Sequence, residues 1–175
     1  MKGRIFVVAA GFVLLIIFYL ILKALLANPV INNSDYLLVT KRQQEMIHIT
    51  TVDINSKNVG TLSPAEQNFI ATASLALGSA QSNTLTFMAE NGYKINQSSL
   101  AKIYSISVDK DLQDAITTNT VPSEFQTVMQ AQLNYYLTDL KTAYSTTKVA
   151  SGKSLLQSEY QTGQLLIKSL NSQTS

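Results

Sequence analysis

SPAEQNFIATASLALGSAQSNTLTFMAENG, residues 63–92, carries a helix start, a helix stop and a helical period between them. Ser63 and Glu66 stand at the spacing of a capping box, in which each side chain satisfies a backbone N–H of the other, and Pro64 suits the first helical position. Phe69, Ile70, Ala73, Ala76, Leu77, Ala80, Phe87 and Met88 then recur at the three- and four-residue intervals that place side chains on one helical face. Asn91-Gly92 supplies the stop, because glycine adopts the left-handed conformation that closes a helix. Gly78 in the interior costs about 1 kcal/mol relative to alanine. The small residues around it allow a neighbouring helix to approach closely.

The same grammar recurs downstream. Asn96 or Ser98 caps a shorter helix carrying Leu100, Ile103 and Tyr104, and Ser107 restarts it with Leu112, Ala115 and Ile116 inward. Residues 117–120, TTNT, end that element. Pro122 opens a long helix with a stripe of Phe125, Val128, Met129, Leu133, Tyr136, Leu140, Ala143 and Tyr144, which Ser151-Gly152 breaks. A last helix over 153–170 presents Leu155, Leu156, Tyr160, Ile167 and Leu170. Upstream, Asn33 or Ser34 caps a helix beginning at Asp35, with Tyr36, Val39, Met46, Ile47 and Ile54 on one face. Residues 46–54 fit helix or strand, since Ile47-His48-Ile49 alternates and Thr50, Thr51 and Val52 are β-branched. A lone strand lacks a partner, so a helix through about Ile49 is expected, loosening into a turn at Asn55–Asn58 and Gly60. Amphipathic helices with short connections imply antiparallel neighbours. The predicted fold is all-α: an N-terminal single transmembrane helix followed by an up-down antiparallel helical bundle.

The transmembrane helix is read from residues 5–22, IFVVAAGFVLLIIFYLIL, which hold no charge, proline or amide. At 1.5 Å per residue they span roughly 27 Å of a hydrocarbon core about 30 Å thick. Extension through residue 27 lets Lys23 reach the headgroups. Ile5, Phe6, Val8, Phe12, Leu15, Ile16, Phe18 and Leu22 are the membrane-anchor residues, each favouring insertion by roughly 0.3–0.6 kcal/mol. A cleaved signal peptide fits less well, because its apolar region is shorter and Leu25 occupies the position where a small residue is wanted. Lys2 and Arg4 place the N-terminus in the cytoplasm. The expected organisation is a cytoplasmic stub at 1–4, an anchor at 5–27, a hinge at 28–34, an extracytoplasmic bundle at 35–171 and a frayed tail at 172–175. Gly11 has no glycine four residues away, so no membrane dimer face is indicated.

Composition narrows the function. Lys2, Arg4 and Lys23 supply three of the 13 basic residues, leaving ten against 11 acidic ones, so the alkaline isoelectric point reflects the anchor. No clustered cationic face suggests nucleic acid. With no cysteine, disulfides, thiolate metal sites and a thiol nucleophile are excluded. Roughly a third of the chain is Ser, Thr, Asn or Gln, a composition suited to an exported bacterial domain.

Candidate chemistry is sparse. His48 is the single histidine. No Gly-x-Ser-x-Gly signature accompanies it, and no second histidine stands at zinc-site spacing, so it reads as solvated or partly packed. Asp109, Asp111 and Asp114 lack the glycine and terminal glutamate of a calcium loop, and read as acids favoured by a helix dipole. The helical tyrosines are expected as core or boundary residues with hydroxyls at water. Tyr135 projects about 100° from Tyr136 around its helix, which makes it the candidate partner-contact residue. No catalytic residue, metal or cofactor is expected. The leading expectation is a single-pass, membrane-anchored protein with a non-catalytic interaction or structural role in the cell envelope, whose partners are the lipid bilayer and an unidentified membrane or envelope protein. The alternative is a ligand-binding sensory ectodomain that signals through a membrane partner.

Overall fold

The computed structural model describes residues 32–54, 62–93, 95–100 and 102–172, which are helices and their connections. The expected stub, the anchor, the turn at 55–61 and the last three residues lie outside the described residues. Among the described residues no helix is long and apolar enough to cross a membrane.

Among the described residues six α-helical segments follow one another: α1 Asn33–His48, extended by a π-helical turn over Ile49–Asp53, then α2 Pro64–Glu90, the single turn α3 Gln97–Leu100, α4 Ile106–Thr118, α5 Val121–Thr146 and α6 Ala150–Asn171. α2 matches its sequence signals closely. Ser63 Oγ accepts from the Glu66 N–H at 3.3 Å, and the Glu66 carboxylate accepts from the Ser63 N–H at 2.6 Å. Gly92 adopts φ +84°, and the N–H groups of Gly92 and Tyr93 close the helix on the carbonyls of Ala89 and Met88. This is the paired-bond closure in which a left-handed glycine satisfies the last carbonyls.

α1, α2, α5 and α6 form a four-helix bundle. Thr40 of α1 meets Met88 of α2 while Gln44 meets Gln81, so these two run antiparallel. α1 and α5 are antiparallel as well, with Asp35 bonded to Thr146 and Arg42 to Asp139 and Gln132. α6 packs antiparallel against both α2 and α5. α2 and α5 therefore share a direction and face each other across a diagonal, where the Phe69 and Phe125 rings lie 6.2 Å apart. Adjacent helices of the bundle are thus antiparallel, in line with the expected up-down arrangement, and the segment containing α3 and α4 returns along the bundle between α2 and α5.

Several boundaries differ from expectation for physical reasons. α1 starts at Asn33, and Asp35 falls in its first turn, where its charge suits the helix dipole. The helix expected through Ile103 and Tyr104 is a single turn, because Tyr104 leaves it to stack on His48 and Ser105 caps α4. Ser151-Gly152 does not break the chain. The break is the connection at 147–149, and Gly152 sits within the first turn of α6. A Cβ there would come 2.5 Å from the Tyr36 hydroxyl and 2.8 Å from Phe87 Cζ, so only glycine admits this approach. The core is built from the predicted stripes, including Tyr36, Val39, Met46, Phe69, Leu77, Phe125, Met129, Leu133, Leu140 and Leu156.

Candidate functional site

The ambiguous residues 46–54 turn out to shape the most unusual chemistry in the molecule. The hydroxyls of Thr50 and Thr51 donate to the carbonyls of Met46 and Ile47, a local bonding pattern that bends a regular helix. After His48 the turn widens, and the Ile54 N–H reaches back five residues to the Ile49 carbonyl at 3.1 Å. In an α-helix residues five apart differ by about 140° around the axis. The wider π-turn brings Asp53 round to the side of His48, in the manner of the π-bulges common at functional sites.

α4 completes the cluster. Ser105 Oγ accepts from the Val108 N–H, which starts α4 so that Asp109 lies in its first turn and points at α1. His48 Nε2 stands 3.5 Å from Asp53 Oδ1 and 3.4 Å from Asp109 Oδ1. One ligand atom from each of the three residues lies within 4.8 Å of the others. The Tyr104 ring stacks on the imidazole with centroids 4.6 Å apart and planes 13° from parallel. Glu45, one turn before His48 on the same face of α1, is 6% exposed.

The electrostatics are unbalanced. Burial first, and then the neighbouring Asp109 carboxylate, push the Asp53 carboxyl up to about 6, against the opposing pull of His48. Burial also raises Glu45, with a backbone hydrogen bond from Ser105 opposing it and Asp109 adding to it. Glu45 Oε1, Asp53 Oδ2 and Asp109 Oδ1 are buried and accept no hydrogen bond. Three carboxylates thus share one imidazole, and each retains an unsatisfied oxygen. The arrangement can share protons, or it can hold a cation.

A second polar group sits in the middle of the bundle, with one residue from each long helix. Glu159 of α6 is 3% exposed. Its Oε1 accepts from Thr84 Oγ1 of α2 at 2.6 Å, and its Oε2 accepts from Tyr136 of α5 and Gln43 Nε2 of α1, both at 3.0 Å. Burial drives the Glu159 carboxyl up to about 7, while the three hydrogen bonds act in the opposite direction. Burial likewise raises the Tyr136 hydroxyl well above its ordinary value, and Glu159 adds to the shift. Tyr136 and Tyr36 correct the expectation of hydroxyls at water, since the Tyr36 hydroxyl is buried against Thr147 Oγ1 at 2.7 Å.

Tyr135 projects outward, 55% exposed, with the Arg42 guanidinium carbon 5.0 Å from its ring centroid. Arg42 is fixed by Asp139 at 3.2 Å and Gln132 Oε1 at 2.8 Å. An adjoining groove is lined by Leu38, Lys41, Arg42, Glu45, Ile103 and Tyr104. The eight anchor residues from Ile5 to Leu22 lie outside the described residues. His48 is partly packed, as expected, but its company of Glu45, Asp53 and Asp109 was not anticipated. Neither was the Glu159 layer. A charged residue on the inward side of an apolar helical period was the available signal for Glu159. For the His48 cluster no signal linked Asp109 to a residue 61 positions earlier. Comparison with protein-family models, with curated proteins and with solved structures finds no match to this chain.

Proposed function

We propose that this protein is a single-pass, membrane-anchored helical bundle that binds a protein partner on the extracytoplasmic side of the cell membrane without catalysing a reaction. The observation that carries the reading is the surface of α1 and α5 joined by Tyr104 from the connection before α4, where Tyr135, Tyr104 and Leu38 remain 55%, 45% and 43% exposed around the anchored Arg42. Tyrosine and arginine are enriched among residues that dominate binding energy, and a guanidinium already held in place loses little freedom on association. Leu75, Ile106 and Leu165 are more exposed, but they stand on three different helices, as isolated surface apolar residues commonly do. The run at 5–27 supplies the anchor in this reading, and confinement beside the bilayer raises the effective concentration of a membrane partner. A sensory pocket between the long helices receives less support, because the Glu159 layer fills the space in which such a ligand would sit.

Site-specific photo-crosslinking of the full-length protein in intact cells tests the proposal. A probe at position 135 is expected to give a discrete crosslinked species that a probe at Leu75 does not give, and Arg42→Ala is expected to weaken it. A tag after Ser175 should be open to protease from outside the cell. Equal crosslinking from both probes, or a protected tag, would remove the reading.

A further inference from the structure

We propose that His48, Asp53 and Asp109 bind one first-row transition-metal dication, Zn²⁺ foremost, with the buried Glu45 carboxylate acting on the same site electrostatically. The inference goes beyond the partner-binding role and does not depend on it. It rests first on spacing. Donor atoms 2.0–2.1 Å from a tetrahedral metal lie about 3.3–3.4 Å from one another. The two measured separations from His48 Nε2, 3.4 Å and 3.5 Å, match that edge. They are long for N–H···O hydrogen bonds, which cluster near 2.9–3.0 Å, and Asp109 Oδ1 accepts no hydrogen bond at all.

The second support is the unsatisfied charge. Glu45 is more than nine-tenths buried, its Oε1 has no hydrogen-bond partner, and both His48 and Asp109 act on it electrostatically. Among the described residues, the ion pairs of Asp53 and Asp109 are with His48 alone. Buried oxygens of this kind, gathered from α1, its π-turn and α4, call for a bound cation or shared protons. A dication offsets two of the three negative charges and takes up the orphaned Asp109 Oδ1 directly. The donor chemistry selects within the dications: an imidazole suits zinc, iron or copper, whereas calcium and magnesium prefer oxygen-only shells. Tyr104, stacked on the imidazole, holds the ring plane. A surface groove lined by Val52, Asp53, Ile106, Asp109 and Lys110 offers a route in.

The test uses metal-free full-length protein in detergent, titrated with Zn²⁺, Mn²⁺, Ca²⁺ or Mg²⁺ while binding and melting temperature are followed. Zn²⁺ is expected to bind one-to-one and raise the melting temperature, with Ca²⁺ and Mg²⁺ at least roughly tenfold weaker. His48→Gln and Asp109→Asn are each expected to weaken Zn²⁺ binding by at least about tenfold while circular dichroism stays helical. Absence of binding by the wild type, or equal binding by the His48→Gln/Asp109→Asn double variant, would overturn the proposal. Should the variants lose their helical signal, Co²⁺ added to the wild-type protein decides. A visible ligand-field absorption displaced by Zn²⁺ supports the site, and its absence overturns it.

Discussion

Two buried carboxylate groups in this bundle have opposite outcomes. Glu159 lies in the middle, surrounded by neutral donors from three other helices, and both of its oxygens are satisfied. Asp53, Asp109 and Glu45 lie toward the far end of α1, each with an oxygen that accepts nothing. The carboxylate of this layer is satisfied, although the buried Gln43 Oε1 accepts no hydrogen bond, and the layer fixes helix register because any slip leaves several buried groups unpaired at once. An unsatisfied cluster of like charges opposes folding unless a bound cation or shared protons offset it. Hydrogen-bond satisfaction, more than burial or charge, separates the structural carboxylate from the candidate site.

The sharpest way to break that contrast is to delete the central carboxylate. Glu159→Ala should destabilise the bundle by roughly 3–4 kcal/mol, since it leaves the Tyr136 hydroxyl, the Thr84 hydroxyl and the Gln43 amide without their acceptor and opens a cavity. Chemical denaturation at constant m-value measures it. A loss below about 1 kcal/mol would show that the layer does not organise the fold.

The pH dependence should follow the same division. The Glu159 carboxyl is raised from its ordinary 4.5 to about 7, so the native state holds a proton that the unfolded chain releases. Stability is then fully present below pH 4.5 and falls as pH rises through the folded value, by on the order of 3 kcal/mol across the window. Glu159→Gln should flatten most of this slope and leave the smaller part due to Asp53, whose folded value is about 6. Denaturation midpoints from pH 4 to 8 check it, and a wild-type midpoint that rises with pH would contradict the sign.

The smallest effect belongs to the end cluster. In chelator, Asp109→Asn should stabilise the protein by roughly 0.5–1 kcal/mol, because it relieves repulsion from Asp53 and Glu45. With Zn²⁺ present the sign should reverse, since the wild type then gains binding energy that the variant has lost. Destabilisation in both conditions would make Asp109 a structural partner of His48.

Local chemistry reaches some of these features and not others. The limits of α2 are legible at Ser63, Glu66 and Gly92 because a cap is made by residues within three or four positions of one another. The apolar stripes of α2 and α5 are legible for a similar reason, since helical periodicity is a property of neighbours in sequence. Tyr135 and Tyr136 are separated onto outer and inner faces by that same 100° step. The π-turn shows how far the local signal extends: the β-branched run makes 47–52 ambiguous between helix and strand, but the widened turn that follows depends on what packs against it.

By itself, then, the sequence determined the all-helical character of the described residues, the strongest helix boundaries, most of the inward faces and an apolar run long enough to span a bilayer. The tertiary structure alone decided that α2 and α5 run in the same direction, that Tyr104 leaves its helix for His48, and that Gln43, Thr84, Tyr136 and Glu159 converge. It alone brought Asp109 to His48. The physical reason is range. Caps and periodicity act across one or two helical turns, whereas a charge or a hydrogen bond acts across whatever distance the folded chain has closed, and the choice between a satisfied and an unsatisfied carboxylate exists only after that closure.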